Sequence, residues 1–286
     1  MTSELTGRIR QLELRARKNV SHFGAGAYRS AFKGQGLEFQ EIREYTPGDD
    51  VRSIDWNVTA RHGRPYVKRF AQEREQTIML LVDASASTEF RTKRDVIAEL
   101  AVTLGYAAIG NADRLGMILF GQEVEHFVAP AAGMNQAFRL MRDLSEFKPS
   151  AKGTSLVAPL RFLDRVVPRR AFVILISDFL ASDASAQLRV SGKRHNLVAL
   201  SVSDPLEAEL PDGGLVEVQD PESGARMLLD CTDPKFRREF ANHARKRASS
   251  LDEAMRAADV DHFRVVAGSD YFPSLLRFLE GHAARR

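Results

Sequence analysis

The segment Thr77-Ile78-Met79-Leu80-Leu81-Val82 is apolar at every position after its first, with no alternation of period two. A strand with one wet face alternates, whereas an unbroken apolar run of this length reads as a strand covered on both faces. Arg170 to Ser177 and Asn196 to Val202 read as further buried strands, apolar after their first residue except at Ser177 and Ser201. Between these runs the spacing turns helical: Thr92 to Ile109 sets Val96, Leu100, Leu104 and Ala107/Ala108 on one face, and Asn135 to Phe147 and Leu156 to Val167 read as helices. Arg114 to Phe120 and Glu123 to Val128, either side of Gly121-Gln122, read as a hairpin. Further on, Leu215 to Val218 and Arg226 to Leu229, split by the turn residues 220–224, read as a two-stranded ribbon. A long charged helix from about Asp233 to Ala258, a strand His262 to Val266 and a final helix carrying Leu275, Leu276 and Leu279 complete the chain. Strands alternating with helices of this length predict an α/β fold with a mainly parallel sheet covered by helices.

The first apolar run spills into Asp83-Ala84-Ser85-Ala86-Ser87, one carboxylate and two hydroxyls where a buried strand meets a loop. In open parallel sheets ligands bind outside the carboxyl ends of the strands. The second run ends in Asp178, so another carboxylate emerges from another strand end, and the turn Lys152-Gly153-Thr154-Ser155 can bring a third hydroxyl. Oxygen donors of this kind suit Mg²⁺, which takes octahedral ligation and keeps several waters, with Mn²⁺ or Ca²⁺ as further candidates. The competing reading has Asp83 capping the next helix while the serines satisfy loop backbone, as such residues commonly do.

With these residues in view, the sequence resembles the von Willebrand factor A fold with a complete metal-ion-dependent adhesion site. Carried over by position, the resemblance implies Ser85, Ser87 and Thr154 as direct ligands and Asp83 and Asp178 as outer or mixed ligands. It also implies that the sixth ligand is an acidic side chain of a partner, which makes the site a metal-bridged protein-recognition device.

A second block, Gly34 to Trp56 and on through Thr59-Ala60-Arg61, is dense in charge around the turn dipeptide Pro47-Gly48. Arg43, Arg52 and Arg61 are placed to form forked pairs with Asp49, Asp50 or Asp55, fixing the loop against the sheet and letting Trp56 bury beside it. The structural reading is an ion-pair buttress; the functional one is a partner-binding surface. Set just before the strand and its DxSxS loop, this block closely resembles the bacterial family catalogued as domain-of-unknown-function family 58. The likeness covers Gly34 through Glu73 and then the whole A-type domain, including Asp204-Pro205. Association of that family with MoxR-type AAA+ ATPases implies that this chain is an adaptor or partner of such an ATPase. Many relatives carry membrane spans, and this chain departs from them by having no apolar stretch of that length.

The chain divides into an N-terminal extension, residues 1–75, and the A-type domain, residues 76–286. Its charge is uneven: residues 1–75 hold 14 Lys/Arg against 10 Asp/Glu, and residues 76–286 hold 27 against 28. Arg8, Arg10, Arg15, Arg17 and Lys18 flank Leu5, Ile9, Leu12 and Leu14 in a short amphipathic helix, read as a solvated face because no aromatic residues interleave with the charges. A slightly acidic main domain argues against nucleic-acid binding. The single cysteine, Cys231, allows no intramolecular disulfide and reads as a small buried hydrophobe in a soluble, cytoplasmic protein.

Enzymatic readings find less support. Gly24-Ala25-Gly26 and Gly34-Gln35-Gly36 complete no dinucleotide fingerprint, and there is no phosphate loop, HExxH or GxSxG. The seven histidines are scattered and read as surface or satisfied residues. A Mg²⁺-dependent hydrolase or phosphatase using Asp83 and Asp178 is the alternative to the interaction module.

Overall fold

The computed structural model describes residues 10–19, 39–70, 75–90, 92–148, 153–180, 184–219 and 225–285. Leu5, Arg8, Ile9, the glycine segments 24–26 and 34–36, Lys152 and the turn 220–224 lie outside the described residues.

Residues 10–19 form helix α1. There follow β1 (Phe39–Glu44), α2 (Trp56–His62), β2 (Tyr66–Phe70), β3 (Thr77–Asp83), α3 (Lys93–Gly110), β4 (Arg114–Phe120), β5 (Val124–Ala131), α4 (Met134–Glu146), α5 (Val157–Val166) and β6 (Phe172–Ser177). The remainder is α6 (Ser185–Arg194), β7 (Asn196–Ser203), α7 (Pro205–Ala208), β8 (Leu215–Gln219), β9 (Arg226–Asp230), α8 (Pro234–Ala258), β10 (Asp261–Val266) and α9 (Phe272–Arg285).

Six strands make the central sheet in the order β10-β7-β6-β3-β4-β5. All neighbours are parallel except β5, which folds back antiparallel on β4 through the expected hairpin. The apolar runs do cover both faces. In β3, Ile78, Leu80 and Val82 pack with Leu100, Leu104 and Leu275, while Met79 and Leu81 point the other way onto Leu160, Leu163, Leu188 and Met255. Each such side chain, fully withdrawn from water, contributes about 1.5–3 kcal/mol, and β3, β4, β6 and β7 supply them in rows.

Helix α3 departs from the one-faced pattern expected of it. It is buried nearly all round, from Lys93 and Ile97 through Ala98, Val102 and Tyr106. The sheet lies beneath it and α4 packs at its side, while Leu12 and Ala16 of α1 join the same apolar cluster. Arg15 reaches Glu99 at 3.3 Å, and Asn19 bonds the same carboxylate at 3.1 Å. The face of α1 carrying Leu12 is therefore docked rather than solvated; Leu14, 62% exposed, points outward.

The charged block folds as the antiparallel pair β1–β2 with α2 between. Arg43 and Asp49 do pair, at 2.6 Å, and Asp49 also accepts the Thr46 N–H. These bonds, the Thr46 one foremost, hold the Asp49 carboxyl down at about 2. Among the described residues the wider network with Arg52 and Arg61 does not form. Asp50 caps a 3₁₀ turn by accepting the Arg52 N–H, and Asp55 caps α2 by accepting from Asn57 and Val58. A short carboxylate reaches the orphan N–H groups of its own helix start more readily than a distant guanidinium. Arg52 and Arg61 are exposed and in no ion pair among the described residues. Trp56, expected to bury, is 70% exposed as the first residue of α2.

Cys231 is buried, as a small hydrophobe should be. No helix among the described residues is long and apolar enough to cross a membrane.

Candidate metal centre

The connections fix where a site can be. From β3 the chain passes through α3, on one face, to β4 on one side; from β6 it passes through α6, on the opposite face, to β7 on the other side. The order therefore reverses between β3 and β6, opening a crevice at their carboxyl ends. Asp83 is the last residue of β3 and Asp178 follows the last residue of β6, so both carboxylates sit at that switch point.

Asp83 is 1% exposed. Its Oδ1 accepts the Ser85 N–H at 2.9 Å, and its Oδ2 accepts the Ser177 hydroxyl at 2.5 Å. It caps no helix: the 3₁₀ turn Ala86–Glu89 starts from Ser85, and α3 starts from Thr92 without a side-chain cap. Burial foremost, and the charge of Asp178 next, push the Asp83 carboxyl up to about 6 against the hydrogen bonds from Ser177 and Ser85.

Ser85 and Ser87 are buried, with their hydroxyl oxygens 3.0 Å apart. Neighbouring ligands on an octahedron of about 2.1 Å radius stand roughly 3.0 Å apart, so the pair has the spacing of two adjacent Mg²⁺ ligands. Thr154 arrives from β4's side. Ser155 N–H donates to the Gly121 carbonyl at 2.8 Å, and a Cβ on Gly121 would stand 2.9 Å from Glu125 Oε1, 3.4 Å from the Gly153 carbonyl and 4.0 Å from Ser85 Cα. Gly121 therefore lies in van der Waals range of both the residue 153–155 turn and the DxSxS loop.

Asp178 is held from two sides. Its Oδ1 accepts the Leu180 N–H at 3.1 Å, and its Oδ2 faces Lys93 Nζ at 2.9 Å. The turn that aims it includes Phe179 at φ 53°, a left-handed conformation costly for a bulky residue, steadied by Phe179 N–H donating to Ser177 Oγ at 3.0 Å. Lys93 also reaches Glu207 Oε1 at 2.7 Å, and its ammonium lies 5.9 Å from the Phe90 ring centre. Burial pulls the Lys93 ammonium toward neutrality, yet the charges and hydrogen bonds of Asp178 and Glu207 raise it above its ordinary value. Glu207 is itself positioned by the capping box of α7, its Oε2 accepting the Asp204 N–H at 3.0 Å.

The donor set fits a hard divalent ion: two hydroxyls at ligand spacing, a third hydroxyl on the adjoining turn, and carboxylates outnumbering ammonium groups. Among the described residues no cluster of three or more His, Cys, Asp or Glu is arranged to hold a metal, so an ion here would rest on the hydroxyls. Arg43, Asp49 and Asp50 stay out of the crevice, bonded within their own segment.

Sequence reading missed Lys93, Ser177 and Glu207. One signal was present: Lys93 stands four residues before Ile97 and seven before Leu100, on the helix face that packs inward. Ser177 and Glu207 had none, since their partners lie 94 and 114 residues away in the chain.

Uncharacterized protein Rv1480 of Mycobacterium tuberculosis (strain ATCC 25618 / H37Rv) is 31% identical over 290 residues, covering 99% of this chain and 90% of its own. Among solved structures, conserved hypothetical protein BatB from Bacteroides thetaiotaomicron is similar with a TM-score of 0.47 and 15% identity, over 73% of this chain and 98% of its own. The von Willebrand factor type A protein from Catenulispora acidiphila gives a TM-score of 0.40 and 12% identity, over 75% of this chain and 43% of its own. A family model described as "Protein of unknown function DUF58" matches residues 41–250, and on that span the chain belongs to this family.

Proposed function

We propose that the chain is a metal-dependent protein-interaction module in which Ser85, Ser87 and Thr154 hold one divalent cation directly and Asp83 and Asp178 act on it largely through water. The ion would supply an open coordination position for a partner's carboxylate. The observation that carries this reading is the 3.0 Å hydroxyl pair of Ser85 and Ser87 at the switch point, beside two buried carboxylates. Mg²⁺ is the ion best matched to that spacing.

The partner is a MoxR-type AAA+ ATPase, on the strength of the family association, and the setting is the cytoplasm. A hydrolase needs a free base beside the ion. Both oxygens of Asp83 and both of Asp178 already accept hydrogen bonds, which favours recognition over hydrolysis.

The test is binding of the purified MoxR-type ATPase from the same cell, measured by interferometry in Mg²⁺ and in EDTA. Wild type is expected to bind only with Mg²⁺, and Asp83→Ala and Thr154→Ala to lose binding while keeping their circular dichroism. Equal binding in EDTA would sink the metal bridge.

A further inference from the structure

Lys93 is fully buried and is among the largest fully buried side chains of the described residues. It occupies a helix face continued by Ile97, Leu100 and Leu104. An apolar side chain would fill that face without the desolvation cost of an ammonium, so a lysine there is explained only by what its charge does. The ammonium lies between Asp178 Oδ2 and Glu207 Oε1, one of them a carboxylate assigned above to the cation.

Resting on that metal-site reading, we propose that Lys93 is a built-in cation of the site, which neutralises Asp178 when no ion is bound and opposes the divalent ion for the same carboxylate. Without it, Asp83 and Asp178 would face each other in the crevice as two buried anions. With it, the metal-free protein is electrostatically tolerable, and an ion must displace or share the ammonium's hold on Asp178. Glu207 is the ammonium's second seat: its side chain is 21% exposed and its Oε1 lies 2.7 Å from Lys93 Nζ. Occupancy of the site is then set by the free metal concentration rather than saturated at trace levels, and loading shifts Lys93 toward the β7–α7 corner.

The magnitude is large enough to measure. At an effective dielectric constant of about 20, a unit charge within roughly 8 Å of a divalent ion alters its affinity by well over tenfold. Lys93→Met removes the charge and leaves Asp178 buried without its cation, so Lys93→Gln, which still donates a hydrogen bond there, and Lys93→Arg, which keeps the charge, are measured with it.

Wild type and the three variants are titrated with Mg²⁺ and with Mn²⁺ by calorimetry, and thermal unfolding is followed with and without ion; Ser85→Ala is the control for the hydroxyl ligands. Lys93→Met and Lys93→Gln are expected to bind at least about tenfold more tightly than wild type, Lys93→Arg to bind as wild type does, and the two neutral variants to gain more thermal stability from the ion than wild type gains. If wild type binds, Ser85→Ala does not, and the neutral variants bind no tighter than wild type, the competition is overturned while the metal site stands. If neither wild type nor any Lys93 variant binds either ion, the metal site and the competition fall together.

Discussion

The Lys93 ammonium and the Asp178 carboxylate lie 2.9 Å apart, each side chain only 1% exposed, joining the start of α3 to the end of β6 across the switch point of the sheet. Removing one member of a buried pair costs about 3–5 kcal/mol, because the other is stranded without its counter-charge. Metal-free Asp178→Asn is therefore expected to lose less than Lys93→Met, since its amide still accepts from the ammonium and Glu207 remains as a partner. A double-mutant cycle in urea would show the coupling: Lys93→Met with Asp178→Asn together should cost clearly less than the two changes summed.

Ser85→Ala separates binding from folding. Its hydroxyl bonds Ser87 Oγ and also steadies the Asp83 carboxylate, so in the absence of metal the loss should be about 1–3 kcal/mol. A Mg²⁺ concentration 100 times the dissociation constant stabilises wild type by about 2.7 kcal/mol, and the same concentration should leave Ser85→Ala unmoved. Equal stabilisation of both proteins would show that the ion binds elsewhere.

His195 and His262 are both held below the ordinary histidine range, chiefly by burial. The folded state thus refuses protons that the unfolded chain accepts, so their contribution is present above about pH 6.5 and is lost as pH falls below it. Asp83, raised to about 6, works in the opposite direction because its folded form holds a proton longer than its unfolded one. The histidine effect is read as a difference: between pH 7.5 and pH 5, wild type should lose more stability than His195→Asn does. A parallel pair of pH profiles would refute it.

At the charged segment two neighbouring substitutions should differ sharply. Asp55→Ala deletes the cap that accepts from Asn57 and Val58 and should cost about 1 kcal/mol. Trp56→Ala removes a side chain that is 70% exposed and should fall within about 0.5 kcal/mol of wild type. Chemical denaturation of the two variants checks both, and a large loss at Trp56 would mean that its ring is covered by another part of the chain.

The strands were legible because their apolar runs carry the signal themselves: Ile78 to Val82 has no polar residue to place in water, so only a doubly covered strand suits it. The DxSxS loop was legible for a related reason, since Asp83, Ser85 and Ser87 are consecutive enough to converge through local geometry alone. Arg52, Arg61 and Trp56 were misread because charge composition does not say which partner a carboxylate prefers. Asp50 and Asp55 took the backbone N–H groups two and three residues ahead, which cost least chain entropy to reach.

By itself the sequence determined the helix-covered sheet, the strand ends at which oxygen donors emerge, and the hydroxyl loop, all of them consequences of short-range periodicity and local turn chemistry. Only the tertiary structure decided what surrounds Asp178. Lys93 lies 85 residues from it in the chain and Glu207 lies 114 residues from Lys93, and nothing local selects a partner over such separations. Their meeting follows from the order in which the sheet places β3, β6 and β7 side by side, and from the desolvation of a crevice that obliges each buried charge to find its opposite.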